Sequence, residues 1–154
     1  MIHLKLAKAT YLDAYVDGFY PLHPTTAYFT ATHKTFNKED ISKTYCKWLK
    51  DATRRDFLIF DDDKVIGESV INEIDVYQSC ANYRIALFDP AYYDQGIGTM
   101  ALKHAIDYAK NHLQLKKLAL EVLSYNPRAI HLYQKLGFTI VAQDEQWLFM
   151  SLNL

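Results

Sequence analysis

The sequence predicts an α/β (α+β) fold in which a mixed sheet of about seven strands is flanked by about four helices. Apolar residues switch between helical and strand-like spacing along the chain, in the order β-α-α-β-β-β-α-β-α-β-β. Capping residues, prolines and glycines separate these segments. A length of 154 residues predicts one domain over residues 1–154, large enough to bury a core.

The first segments predict one strand and two helices around an irregular stretch. Ile2 to Leu6 is a short strand, and a helix from Thr10 to about Phe19 follows, with Thr10 as its N-cap. Tyr20 to Phe36 contains two prolines and five threonines and is predicted to be irregular. Asn37 then caps the second helix.

Three strands are predicted in the middle of the chain. Phe57 to Phe60 is an apolar run, Asp61 to Lys64 reads as a hairpin turn, and Val65 to about Val76 forms the returning strand. Adjacent carboxylates in a turn point in different directions, so the three aspartates favour a solvated turn over a metal site. After a turn at Ser79 to Ala81, the third strand is Tyr83 to Phe88.

The last segments alternate helices and strands. Gly96 and Gly98 precede a helix that runs to about Leu113, and Lys117 to Leu123 is the next strand. Asn126-Pro127 is a strong helix start, a cap followed by proline at the first helical position. That helix ends at Leu136-Gly137, and the closing strands are Thr139 to Ala142 and Trp147 to Leu152.

Composition excludes several function classes. The net charge of −1 gives no electrostatic footprint for nucleic acid or an anionic membrane. Two cysteines, Cys46 and Cys80, cannot build a disulfide framework or a thiolate zinc site, and the six histidines show no ligand spacing. We therefore expect no metal. The chain shows no signal-peptide pattern and no membrane-length apolar run, which predicts a cytoplasmic protein.

The loop Asp94 to Thr99 is a candidate anion site. Its glycines let backbone N–H groups converge on an anion, and a helix N-terminus adds the positive end of its dipole, a geometry that suits a pyrophosphate. The motif alone is weak, because many strand-to-helix turns need glycine. Ala101 stands where a dinucleotide-binding fingerprint has its third glycine, and no Lys-Ser/Thr pair follows as in a P-loop.

The segment Asn126 to Phe138 is the second informative motif. Asn126 and Tyr133 are seven residues apart, so two helical turns place them on one side of the helix. Taken alone, the segment reads equally well as a cap, a packed tyrosine and a terminal glycine.

Together, the two motifs resemble the GNAT N-acetyltransferase superfamily, over about residues 55 to 142. The sequence is most similar to the polyamine and ribosomal-protein N-acetyltransferases. This resemblance implies an acyl-CoA N-acyltransferase fold with a centrally splayed sheet, and an enzyme that uses acetyl-CoA as co-substrate.

The resemblance also implies a set of cofactor-binding residues. Acetyl-CoA would lie between the strands at Tyr83 and Lys117, with its pantetheine arm near backbone groups of Leu87 and Phe88 and hydrogen-bonded by Asn126. The pyrophosphate would rest on the amides of Gln95, Gly96, Ile97, Gly98 and Thr99. The family's usual Gln or Arg at the start of this loop is Tyr93 here, which predicts a modest change in cofactor affinity.

Three residues are implied in the chemistry. Tyr133 would be the general acid for the departing thiolate. Glu121 is the first candidate for the base that deprotonates the amine, and alternation puts it on the face opposite Leu118 and Leu120. Glu73 is the second, as base or amine anchor. A solvated strand glutamate is an equally good interpretation of Glu121.

The acceptor is the least determined part. The Tyr20 to Phe36 segment, with Tyr28 and Phe29, is where the family places substrate choice. Thr30 to Thr35 lacks the carboxylates that polyamine enzymes carry there, which disfavours a polycation, although Glu73 keeps a polyamine open. Small amines, amino-acid-like amines, aminoglycosides and peptide N-termini also stay open. The alternatives are a non-catalytic acyl-CoA sensor module and a pure interaction domain. A homodimer through the C-terminal strands or the aromatic surface is also open.

Overall fold

A computed structural model describes all residues, 1–154, as one seven-stranded sheet with five α-helices. The predicted fold class is confirmed. The strands are β1 Ile2–Leu6, β2 Arg55–Asp61, β3 Lys64–Asp75, β4 Cys80–Leu87, β5 Lys117–Leu123, β6 Thr139–Gln143 and β7 Trp147–Asn153. The helices are α1 Leu12–Phe19, α2 Pro24–Phe29, α3 Lys38–Leu49, α4 Ile97–Asp107 and α5 Pro127–Lys135. None of them is both long enough and apolar enough to cross a membrane.

The sheet is mixed, with the strand order β1-β2-β3-β4-β5-β7-β6. Neighbouring strands are antiparallel except for the central pair, β4 and β5, which is parallel. The parallel pair requires a crossover, and α4 supplies it. The carboxyl ends of two neighbouring strands therefore meet in the middle of the sheet.

Hydrophobic clusters cover both faces of the sheet, and the two largest hold the helices that flank the central strands. On one face, α4 and α5 pack on β4 and β5 through a cluster that includes Tyr83, Leu118 and Tyr133. On the other face, α1 and α3 pack through an aromatic-rich cluster that includes Tyr15 and Phe88 and is called the aromatic core below. Because the period of a strand is two, these cores fix which side chains of β4 and β5 face each way.

The N-terminal helices differ from the sequence prediction in two ways. Thr10 is not the N-cap of α1, because a 3₁₀ turn over Ala9–Tyr11 leads directly into the helix at Leu12. The Tyr20 to Phe36 stretch is not wholly irregular, because it contains α2. His23 caps this helix by accepting a hydrogen bond from the Thr25 amide, and Pro24 occupies its first position. Six residues are too few to show a helical period in the sequence.

Candidate functional site

The central strands β4 and β5 separate part-way along their length and open a cleft. They pair at three positions, the last being Asn82 with Ala119, but continue to Leu87 and Leu123. Beyond the last pair their facing edges have no partner strand, so an extended ligand can bond to them as an added strand would. The cleft has a volume of about 590 Å³ and is also lined by α2, α4 and α5.

The start of α4 presents free backbone amides to the cleft. Gly96 has a φ of 78°, a left-handed conformation that glycine adopts without strain. Gly98 lies against Leu132, whose Cδ2 would be only 3.0 Å from an added Cβ. No side chain caps the helix, so the first-turn amides at Ile97, Gly98 and Thr99 are free to bind an anion. These three residues and Gly96 line the cleft.

Helix α5 presents Asn126 and Tyr133 to the same cleft. Asn126 is buried and accepts a hydrogen bond from the Ala129 amide at 3.3 Å through its Oδ1, which leaves its NH₂ group free to donate. Tyr133 is 6% exposed and its hydroxyl makes no hydrogen bond within the protein. Burial raises the pKa of Tyr133 to about 12. The phenol therefore remains a hydrogen-bond donor throughout the neutral range.

Tyr93 connects three parts of the cleft wall. The Arg128 guanidinium lies 3.8 Å from the centroid of the Tyr93 ring, and the Tyr93 hydroxyl lies 3.4 Å from Thr26 Oγ1. Thr26 in turn donates a 2.8 Å hydrogen bond to the Leu87 carbonyl at the end of β4. The aromatic residue thus holds the loop by stacking and a polar contact to α2.

Leu87, Phe88 and Gln95, three of the residues predicted to contact the cofactor, lie in different surroundings. Leu87 lines the cleft. Phe88 is buried in the aromatic core, and its amide already donates to Ile66 O at 2.9 Å. Gln95 is exposed, and its side chain donates to the Ala91 carbonyl at 2.7 Å, inside the loop. The structure brings Leu87 and the glycine loop together, with Phe88 and Gln95 outside the wall.

The two candidate glutamates lie in different places. Glu121 is exposed on β5 and lines the cleft, on the face opposite the buried Leu118 and Leu120. Glu73 lies in an irregular part of β3, exposed, with a φ of 51°, and is not part of the cleft wall. Of the two glutamates, only Glu121 therefore lines the same cleft as Tyr133.

The predicted acceptor residues lie on α2 at the rim. Phe29 lines the cleft, with the Arg128 guanidinium 5.4 Å from its ring centroid. Tyr28 is 57% exposed and packs against Phe29 and Tyr125 outside the wall.

Sequence reasoning missed two arginines that line the cleft, Arg84 and Arg128. Arg84 lies on β4 and its Nη2 lies 3.3 Å from Glu68 Oε1, a buried carboxylate on β3. The sequence signal for Arg84 was only partial. Strand alternation assigns Arg84 to one face of the sheet, but the register between β4 and β5 determines that this face opens into the cleft.

A sheet that splays between two parallel strands, with a glycine loop at one helix start and an Asn–Tyr helix beside it, defines the acyl-CoA N-acyltransferase fold. The model of the Acetyltransferase (GNAT) family matches residues 16–138, and the chain belongs to this family.

Relatives among characterised proteins include spermidine N(1)-acetyltransferases and the acetyltransferase PseH. Spermidine N(1)-acetyltransferase of Escherichia coli (strain K12) is 36% identical over 112 residues, covering 73% of this chain and 60% of that protein. Acetyltransferase PseH of Campylobacter jejuni (strain 81-176) is 26% identical over 131 residues, covering 85% of this chain and 80% of that protein. The chain spans about three fifths of the length of the spermidine enzymes it matches.

Solved structures show the same fold. Spermidine N-acetyltransferase from Vibrio cholerae, in complex with CoA and spermine, superposes with a TM-score of 0.84 at 21% identity, over 99% of this chain and 95% of that chain. A GNAT-family acetyltransferase from Streptococcus pneumoniae superposes with a TM-score of 0.77 at 22% identity over the full length of both chains.

Proposed function

We propose that this protein is an N-acetyltransferase that moves the acetyl group of acetyl-CoA directly to a primary amine while both are bound. One observation carries the proposal: the cleft between β4 and β5 joins the free amides of α4, the free amide group of Asn126 and the unbonded hydroxyl of Tyr133. A relative 36% identical is a spermidine N(1)-acetyltransferase, and a V. cholerae enzyme of the same fold binds CoA and spermine.

The groups present fit acetyl-CoA, whose thioester supplies an activated acetyl carbonyl. The amides of Ile97, Gly98 and Thr99 suit its pyrophosphate. The unpaired edge of β4 near Leu87 and the Asn126 amide suit the amide groups of a pantetheine arm. The same surfaces would bind other acyl-CoA thioesters. The choice of acetyl over another acyl group is therefore part of the proposal and does not follow from the geometry of the cleft.

Tyr133 acts in this proposal on the leaving sulfur. With a pKa of about 12 it holds its proton at Oη and is able to donate a hydrogen bond into the cleft. Complete transfer of that proton to a thiolate, whose pKa is near 8.5, costs roughly 5 kcal/mol. Most of the stabilisation therefore comes from the hydrogen bond itself, with Tyr133 in the position of the general acid.

Glu121 acts on the incoming amine. An alkylammonium has a pKa of about 10 and must lose a proton before it can attack at neutral pH. Glu121 is the carboxylate on β5 that lines the cleft, so it is placed to accept that proton, directly or through water. Glu73, outside the wall, is proposed only as an anchor for a long acceptor. The acceptor classes remain small amines, amino-acid-like amines, peptide N-termini and polyamines.

The first test is calorimetric titration of the protein with acetyl-CoA, with CoA as a control ligand. We expect micromolar binding that is lost in a Gly96→Asp/Gly98→Asp variant, because the added carboxylates repel the phosphates and Gly96 needs its left-handed φ. Asp107→Ala, on the same helix but outside the cleft, is the matched control and should bind normally.

The second step is a thiol-release screen with amines. Turnover with any amine class supports the enzyme. Binding without turnover across all classes favours a sensor module, and a folded protein that binds no acyl-CoA contradicts the proposal.

The proposal also covers the oligomeric state and the cellular location of the protein. We expect residues 1–154 to act as one domain and to form at least a homodimer, because the edge strand β6 is exposed along its length and carries Ile140 and Val141 to solvent. The V. cholerae enzyme also occurs as a dodecamer. Analytical ultracentrifugation tests this, and fractionation of the native host tests the predicted cytoplasmic location.

A further inference from the structure

The two walls of the cleft carry opposite charges on the same face of the sheet. Asn82 and Ala119 are paired neighbours, so two residues further along each strand Arg84 and Glu121 share a face. Both line the cleft, and they form no ion pair with each other. A cation on β4 thus faces the same opening as an anion on β5.

With acetyl-CoA bound as proposed, this face would be the side open to an acceptor. Helices α4 and α5 lie on the opposite face, where Leu118 and Leu120 are packed. This side carries Ile97, Asn126 and Tyr133, the residues proposed to bind acetyl-CoA. Acetyl-CoA on that side leaves the Arg84 and Glu121 side open for the amine.

Arg84 is held in place by a buried partner. Glu68 is 2% exposed; its Oε1 lies 3.3 Å from Arg84 Nη2, and its Oε2 accepts a 2.8 Å hydrogen bond from the Tyr15 hydroxyl. The Arg84 side chain is 42% exposed and uses only Nη2 in this contact. Its remaining N–H groups are free to bind an anion in fork geometry.

We infer that Arg84 binds an anionic group on the acceptor, a carboxylate or a phosphate, while Glu121 faces the acceptor's amine. The inference deepens the proposed function and rests on it. It predicts an amino-acid-like or phosphate-bearing amine rather than a polyamine, because an arginine on this wall repels a polycation.

The test compares acceptors matched in all but the anion. Amino acids are measured against their carboxamides, beside phosphoethanolamine, ethanolamine and spermidine. A charge-assisted pair lost from the cleft is expected to lower kcat/KM about 10- to 100-fold. We expect kcat/KM for a carboxylate or phosphate acceptor to exceed that for its neutral partner by that factor. Comparing the amino acid and carboxamide pair with the phosphoethanolamine and ethanolamine pair shows which anion is preferred. Equal use of the neutral partners, or a preference for spermidine, overturns the inference.

Variants assign the selectivity to the residue. Arg84→Gln is expected to reduce the acid-over-amide ratio about 10- to 100-fold, and Arg84→Lys, which keeps the charge, to retain part of it. Arg55→Gln removes the same charge from a residue that bonds only backbone carbonyls outside the cleft, and should leave the ratio unchanged. An unchanged ratio in a folded Arg84→Gln protein overturns the inference.

Glu68 is a positioning residue for Arg84, and a separate measurement tests this role. Glu68→Gln is expected to raise KM for the anionic acceptor with little change in kcat, whereas a general loss of stability would lower the active fraction for all acceptors alike.

An equilibrium experiment separates this inference from the proposed function. Calorimetry of the protein saturated with CoA measures binding of the acceptors without turnover. Anionic acceptors that bind in an Arg84-dependent way support the inference even for a slow enzyme. Turnover of amines with no anion dependence contradicts only the inference, and absence of acetyl-CoA binding contradicts the function on which it rests.

Discussion

At the residue scale, Tyr133 combines burial with an unbonded hydroxyl. The ring is packed in the core, while the hydroxyl reaches the cleft, because His104 Nδ1 is the one fully buried side-chain polar atom that lacks a partner. A hydroxyl without a protein partner at a cleft wall is available to bond a ligand. This makes Tyr133 the most informative single side chain of the cleft.

We expect Tyr133→Phe to lower kcat about 100-fold or more, because the proposed hydrogen bond to the leaving sulfur is lost. Affinity for acetyl-CoA should change little, since the ring and its packing on Phe138 are kept. Steady-state kinetics with calorimetry measure both quantities. Tyr45→Phe is the control, because its hydroxyl bonds the Lys8 backbone far from the cleft; a normal kcat for Tyr133→Phe would remove Tyr133 from the chemistry.

The two glutamates are separated by their pH–rate profiles. Glu121→Gln should lose the acidic limb of the kcat/KM profile and about 100-fold in rate, because it removes the proposed base, which lines the cleft. Glu73→Gln should keep the limb, because Glu73 is outside the wall. The reverse pattern would assign the base to Glu73, and a retained limb in both variants would assign it to water or to another group.

At the element scale, α2 closes one side of the cleft through Thr26, Phe29 and Thr30. The helix is tied to β4 by the Thr26 bond to Leu87 and to the glycine loop by the contact with Tyr93. The acceptor side and the cofactor loop therefore share one polar connection.

Replacing Tyr93 tests that connection. Tyr93→Gln removes the stack on Arg128, worth about 0.5–1 kcal/mol for a cation on an exposed ring. We expect acetyl-CoA to bind about 2- to 5-fold more weakly by calorimetry. Tyr93→Phe keeps the ring and should fall between the two proteins; unchanged affinity in Tyr93→Gln would show that the loop is ordered by its glycines alone.

Periodicity and capping predicted the strands and the four longer helices, but not the elements that depend on tertiary contacts. Helix α2 has six residues and a proline start, so it offers no repeat to detect. The turn at Ala9–Tyr11 displaced the predicted cap at Thr10 because tertiary packing sets where α1 begins. For the site, the glycine loop, Asn126, Tyr133 and Glu121 came from motifs, whereas Arg84 needed the register of two strands far apart in sequence.

At the scale of the whole molecule, buried tyrosines link stability to alkaline pH. Burial raises the pKa of Tyr15, Tyr83 and Tyr133 above the value of 10 in an unfolded chain. The folded state then holds protons that the unfolded state loses, so this contribution is complete below pH 10 and declines as pH rises above it.

We expect the free energy of unfolding to fall by about 1.4 kcal/mol per pH unit for each such tyrosine above pH 10. Urea unfolding at pH 8, 10 and 11 measures the slope. Tyr83→Phe should reduce the slope by the contribution of one tyrosine. Tyr77→Phe replaces a residue that is 95% exposed and should leave the slope unchanged. A flat profile between pH 10 and 11 would contradict this expectation.

The parting of β4 from β5 also bears on how the protein avoids aggregation. An unpaired strand edge ordinarily recruits a strand from another molecule and so seeds fibres or disordered clumps. Here the two bare edges face each other inside the sheet, and the cleft between them is lined by residues of α2, α4 and α5. They are therefore not presented to other molecules as an outer sheet edge is, so the same hydrogen-bonding groups can serve a ligand without recruiting a foreign strand.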